Sequence, residues 1–119
     1  MIKSITTLKK KHDISTEEFR SYYEDHHRLI GEKYLDGFAV RYVRRYLNAV
    51  PDIEGKVHPP EYDVLLEIWF PDEAALRACN QGLSEPAVVR EIEIDEERLF
   101  DRSQKRTYVI EECESVLSE

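Results

Sequence analysis

The sequence predicts an α+β fold, a four-stranded antiparallel sheet with its helices on one face. Three observations carry that prediction. Four short runs rich in β-branched and aromatic residues are separated by turn or helix signals, two helical patterns start at side-chain caps, and the segments follow one another as β-α-β-β-α-(α)-β.

The elements can be justified in order. "IKSITTLKK" gathers β-branched and apolar residues in a short run followed by lysines, as a first strand does. "STEE" then forms a capping box, with Ser15 placed to accept from the Glu18 amide, ahead of an aromatic amphipathic helix that should end at Gly37. Residues Ala39 to Val50 favour a strand stopped by Pro51, and "PDIEGKVHPP" is a loop. "YDVLLEIWF" is a third strand ended by Pro71, and a short helix runs from an Asp72 cap to Gly82. "EPAVVREIEIDEERLFD" reads as one helix or two helical pieces, and "KRTYVIEE" as the fourth strand. This order is that of the ferredoxin-like split βαβ arrangement.

At 119 residues the chain, 1–119, is expected to form one domain. No apolar run approaches the roughly 18 residues that span a bilayer, and none resembles a signal sequence, so no membrane partner and a cytoplasmic location are expected. The net charge of −8 is uneven: residues 1–50 hold ten Lys/Arg against seven Asp/Glu, and residues 51–119 hold seven against eighteen. Such a surface repels phosphate backbones, which argues against a nucleic acid partner. The acidic run "REIEIDEERLFD" reads as a solvated helix face. Cys79 and Cys113 lack metal-ligand spacing and read as free thiols, and neither a phosphate-cradling glycine loop nor a serine elbow is present.

On the third strand, Tyr62, Val64, Leu66, Ile68 and Phe70 form an apolar face that should meet the helices. The other face, with Asp63, Leu65, Glu67 and Trp69, is too apolar for open water and too polar for a dry core. It is expected to line a pocket closed by a second copy of the chain. On the first helix, a 100° wheel puts His26 at the centre of the buried stripe with Phe19, Tyr22, Tyr23 and Ile30, and His27 at its edge. An edge imidazole can reach the rim of the sheet, where a general acid or base is useful. The i,i+4 companion of His27 is Gly31, and no metal site is expected.

Several of these residues resemble the EthD-domain pattern. Ser15, Glu18, Phe19, Tyr23 and His27 match its "LSxEEF-x3-Y/W-x3-H" spacing, "EYDVLLEIWFPD" is similar to its "YDxxxExWF" strand, and "DEERLFDRSQKRTYVIEE" is similar to its "DExxFxD(R)S…V(V)EE" end. The resemblance implies a ferredoxin-like monomer that forms a homodimer sheet to sheet as an α+β barrel, with no prosthetic group or other cofactor, and it singles out His27 as the family's helix histidine. It also implies dehydratase, cyclase-like or lactone-isomerase chemistry on apolar aromatic or polyketide substrates. Where many members carry "RYVxNH", this chain has "RYVRRY", so Arg45 and Tyr46 stand in place of the Asn and His.

The leading expectation is a dehydratase- or cyclase-like enzyme in which His27 removes a proton beside a carbonyl of a hydrophobic, hydroxylated small molecule. Tyr23 would orient the imidazole or donate to a leaving hydroxyl, and Glu67 would fix a ring hydroxyl or polarise His27. Tyr42, Arg44 and Tyr46, sharing one strand face, would hold a substrate oxygen, and Trp69 would stack on the ring. Two alternatives use the same pocket: a dimeric carrier that performs no chemistry, and a cofactor-free monooxygenase.

Overall fold

The computed structural model describes residues 1–118. Strands β1 (Ile2–Leu8), β2 (Arg41–Tyr46), β3 (Val64–Phe70) and β4 (Arg106–Val109) form one antiparallel sheet in the order β2-β3-β1-β4. That is the ferredoxin-like order, with the first and third strands central. The strands are shorter than the sequence suggests at β2, where Leu47 onward leaves the sheet, and at β3, where Tyr62 and Asp63 precede it.

The helices are α1 (Thr16–Tyr22), a π-helical turn (Tyr23–His27), α2 (Arg28–Leu35), α3 (Glu73–Leu83) and α4 (Pro86–Glu96). Ser15 accepts from the Glu18 amide at 3.0 Å and Asp72 from the Ala75 amide at 2.8 Å, so both caps form as their side chains dictate. Leu35 to Phe38 close a tight turn in which Phe38 N donates to the Leu35 carbonyl and Gly37 takes φ 87°, a conformation glycine adopts without Cβ strain. Pro86 opens α4 at the position where a missing N–H costs nothing.

One core cluster joins Leu8, Val64 and Leu66 of the sheet to Phe19 and Tyr23 of the first helix and to Leu99 and Phe100, which follow α4. A second joins Leu35, Phe70 and Cys79. Cys79 is buried and Cys113 exposed, both as free thiols. Val64, Leu66 and Phe70 meet the helices as their alternation requires. The acidic run departs from expectation in part: Asp95 and Glu96, 8% and 3% exposed, turn inward, while Arg90, Ile94, Glu97 and Arg98 stay exposed.

Packing predicts how unevenly stability is spread. Phe19, with no exposed surface, should cost about 3–5 kcal/mol on truncation to Ala in urea unfolding. Leu29, half exposed on α2, should change stability by less than about 0.5 kcal/mol on the same substitution.

Candidate active site

The first helix cannot be phased by a uniform wheel. Its buried residues are Phe19, Tyr23, His27 and Leu35, a spacing of four or eight. In a regular α-helix each step of four drifts by about 40°, so the stripe would wander off the sheet. The π-helical turn at Tyr23–His27 absorbs that drift; in it the Arg28 amide reaches back to the Tyr23 carbonyl. The result reverses the expected roles of the two histidines. His26, placed by the wheel at the centre of the stripe, is exposed and lies against the Tyr22 ring, whereas His27 points inward and is 8% exposed.

Inside, His27 Nδ1 meets Asp95 Oδ2 of α4 at 2.7 Å. The other Asp95 oxygen accepts from the Tyr22 hydroxyl, which also receives a 3.4 Å contact from the Arg98 guanidinium. A carboxylate on that side fixes Nδ1 as an N–H donor, so that the lone pair of the base form is the one on Nε2. Among the described residues Nε2 has no protein partner, and it is not sealed from solvent. The Tyr23 and Phe100 rings pack against the imidazole edge to face, at 4.9 and 6.0 Å between centroids.

His27 lines a cavity of about 130 Å³ between helices and sheet. Tyr23, Tyr34 and Tyr42 bring phenols to it, and Ile30, Leu35, Leu66, Ile68, Leu83 and Ile92 make its apolar walls. The Tyr23 and Tyr42 hydroxyls are 2.8 Å apart. Burial pushes the pKa of Tyr23 well above the usual phenol value and that of Tyr42 up as well, so both stay neutral donors. Gly31 makes room for Tyr42, since a Cβ there would stand 2.9 Å from its hydroxyl oxygen.

The candidate residues do not form one group. Register pairs Tyr42 with Ile68, Arg44 with Leu66 and Tyr46 with Val64, so these three lie on the helix side of the sheet with Tyr23 and His27. Glu67 and Trp69 pair with Val43 and Arg41 and lie on the opposite side. Glu67 therefore cannot reach His27; it binds Arg45 at 2.9 Å and accepts from the Trp69 indole at 2.7 Å. The Trp69 hydrogen bond, followed by Arg45, holds its carboxyl below the usual range. Trp69 itself is flanked by Lys3 and Arg41, 3.9 and 4.6 Å from its ring centroid. The His27 imidazole, expected at the rim of the sheet, lies on the helix side and does not open toward that face. Arg44 and Tyr46 are on the expected side but engaged: Glu24 of the π turn accepts from Arg44 Nε at 3.0 Å and Nη2 at 2.9 Å, and from Tyr46 at 2.6 Å. The Arg44 fork keeps Glu24 below the ordinary carboxylate pKa, while burial pushes Tyr46 up.

Sequence reasoning missed Asp95, Tyr22 and Gly31. A signal for Asp95 existed, because Asp95 and Glu96 open the "DExxFxD" stretch quoted above. Among the described residues no three His, Cys, Asp or Glu side chains converge as metal ligands would.

The EthD domain family model matches residues 11–103, which spans the first helix, the β3 motif and the Asp95 region. The chain belongs to the EthD domain family. Solved structures agree on the fold. An ethyl tert-butyl ether D (EthD) family protein from Bacillus halodurans superposes with TM-score 0.61 at 15% identity, over 95% of this chain and 100% of that one. A dimeric ferredoxin-like protein from an uncultured marine organism gives TM-score 0.55 at 13% identity, over 92% and 90%. A protein from Deinococcus radiodurans described as a putative antibiotic biosynthesis monooxygenase gives 0.53 at 14%, over 100% and 99%. No curated protein matches the chain. Within this EthD domain, no helix of the described residues is long and apolar enough to cross a membrane.

The buried phenols set an alkaline limit. Tyr23 and Tyr42 titrate near 10.0 when unfolded and higher when folded, so they leave stability unchanged below that pH and weaken it as pH rises further. The urea midpoint should fall above pH 10, and the fall should be shallower in Tyr42→Phe.

Proposed function

We propose that this EthD domain is a cofactor-free enzyme in which His27 is a general base, oriented by Asp95, acting on a small apolar oxygenated molecule in the cavity between helices and sheet. The observation that supports this reading is the 2.7 Å Asp95 contact on Nδ1, which leaves Nε2 as the free nitrogen of an imidazole that lines the cavity. In the reaction, Nε2 takes a proton from a carbon beside a carbonyl, and the electron pair moves onto the carbonyl oxygen as an enolate. An O–H of the Tyr23–Tyr42 pair, held neutral by burial, stabilises that oxygen. Where the substrate carries a hydroxyl on the next carbon, the imidazolium returns its proton to the leaving oxygen as the enolate re-forms the carbonyl, and the sum is loss of water. Arg44 and Tyr46 shape the wall through Glu24 and touch no substrate.

A carrier needs an apolar cavity but has no use for a nearly buried carboxylate fixed on an imidazole, an arrangement that costs desolvation energy. That favours chemistry over storage. The uncovered sheet face, where Trp69, Glu67 and Arg45 lie, is our candidate for the contact of a homodimer; the dimeric ferredoxin-like neighbour supports it. Sedimentation should find a dimer, and Trp69→Glu should give monomers with the fold intact.

The catalytic reading is tested on a panel of single-ring and fused-ring β-hydroxyketones, following enone absorbance. His27→Gln should lower kcat/KM by roughly 10²–10⁴-fold. Asp95→Asn should lower it at least about tenfold, and Glu67→Gln should leave it unchanged. Wild-type turnover by His27→Gln on a substrate the protein does convert would rule out His27 as the base.

A further inference from the structure

The cavity also limits what can enter, and this inference rests on the His27 site described above. Its volume of about 130 Å³ is close to that of a cavity, about 150 Å³, that holds a single benzene. A second fused ring would crowd Leu83, the last residue of α3, and Ile92 of α4, both of which line the cavity.

Its charge is as restrictive as its size. Among the described residues, no Lys, Arg, Asp or Glu lines it. The charged groups behind its walls come already paired: Asp95 with His27, and Glu91, which accepts from the Tyr34 hydroxyl, with Lys33, whose ammonium lies 4.9 Å from the Tyr34 ring centroid. Arg44, the cation of the neighbouring strand, is held in a two-point contact by Glu24. An anionic ligand would enter a mostly apolar site whose neighbouring cations are already engaged by carboxylates.

What the walls do offer is one polar anchor. Two phenols 2.8 Å apart use one O–H between them and keep the other for a ligand oxygen. Gly31 preserves that anchor, because any side chain there would push the Tyr42 hydroxyl from its place.

We propose that the site selects a neutral, single-ring molecule with one hydroxyl or carbonyl oxygen seated on the Tyr23–Tyr42 pair, and excludes carboxylates and fused polycycles. The selection is steric and electrostatic, and it does not require that His27 act as a base.

Calorimetric titration of the intact protein with phenol, benzoate and 2-naphthol tests it. Phenol should bind in the millimolar range or tighter, benzoate should bind at least tenfold more weakly, and 2-naphthol should bind weakly until Leu83→Ala opens the wall. Tyr42→Phe should weaken phenol about fivefold, the loss of one hydrogen bond. Gly31→Ala, with helix content checked by circular dichroism, should weaken it similarly by displacing the same hydroxyl. Absence of phenol binding, benzoate binding as tight as phenol, or 2-naphthol binding to the unaltered protein as tightly as phenol would each overturn the proposal. Phenol binding retained in His27→Gln separates the two ideas: the selection then stands even if the turnover test removes His27 from catalysis.

Discussion

A carboxylate only 8% exposed needs a donor for each oxygen, and Asp95 finds both on a single helical turn of another element. Tyr22 and His27 are five residues apart. In a regular α-helix their side chains would diverge by about 140° and could not share one partner. The π-helical turn, whose backbone bonds run five residues back, brings them to the same side. Burial of Asp95, the π turn and the inward aim of His27 are thus one constraint seen from three residues. Removing any of them would strand a buried polar group.

The same constraint explains how α4 is held. Its apolar content is modest, and much of its grip on the rest of the molecule is through acids: Glu91 on Tyr34, Asp95 on Tyr22 and His27, and Glu96 on Lys105 at 3.2 Å. A helix docked this way fixes the direction of its carboxylates closely, because each has a directional partner. Orientation of that kind is what a general base requires of the residue behind it.

The backbone was largely legible in the sequence because its signals are local. Caps at Ser15 and Asp72, prolines at 51 and 71, and the alternation of β3 each act within a few residues, and the four strands and their order follow. The site was less legible because its determinants are not local. Whether β2 presents Tyr42, Arg44 and Tyr46 or Arg41, Val43 and Arg45 to the helices depends on its pairing with β3. Both sets are amphipathic, and a one-residue shift exchanges them. Grouping the tyrosines with Trp69 took the wrong parity. The wheel failed at His26 for a related reason: it assumes 100° per residue, and in the π turn each residue advances by less than that.

The fate of Arg44 shows how the π turn also decides what the site cannot do. An arginine between two tyrosines on a strand is a good fork for an oxyanion, and in isolation that reading is chemically sound. The turn that aims His27 inward also sets Glu24 over β2, where it takes two guanidinium nitrogens and the Tyr46 hydroxyl. A substrate anion would have to displace a carboxylate already held at two points, and the displaced Glu24 would remain beside it as a like charge. Binding energy for an oxyanion must then come from neutral donors, and Tyr23 and Tyr42, kept protonated by burial, are the ones the cavity holds.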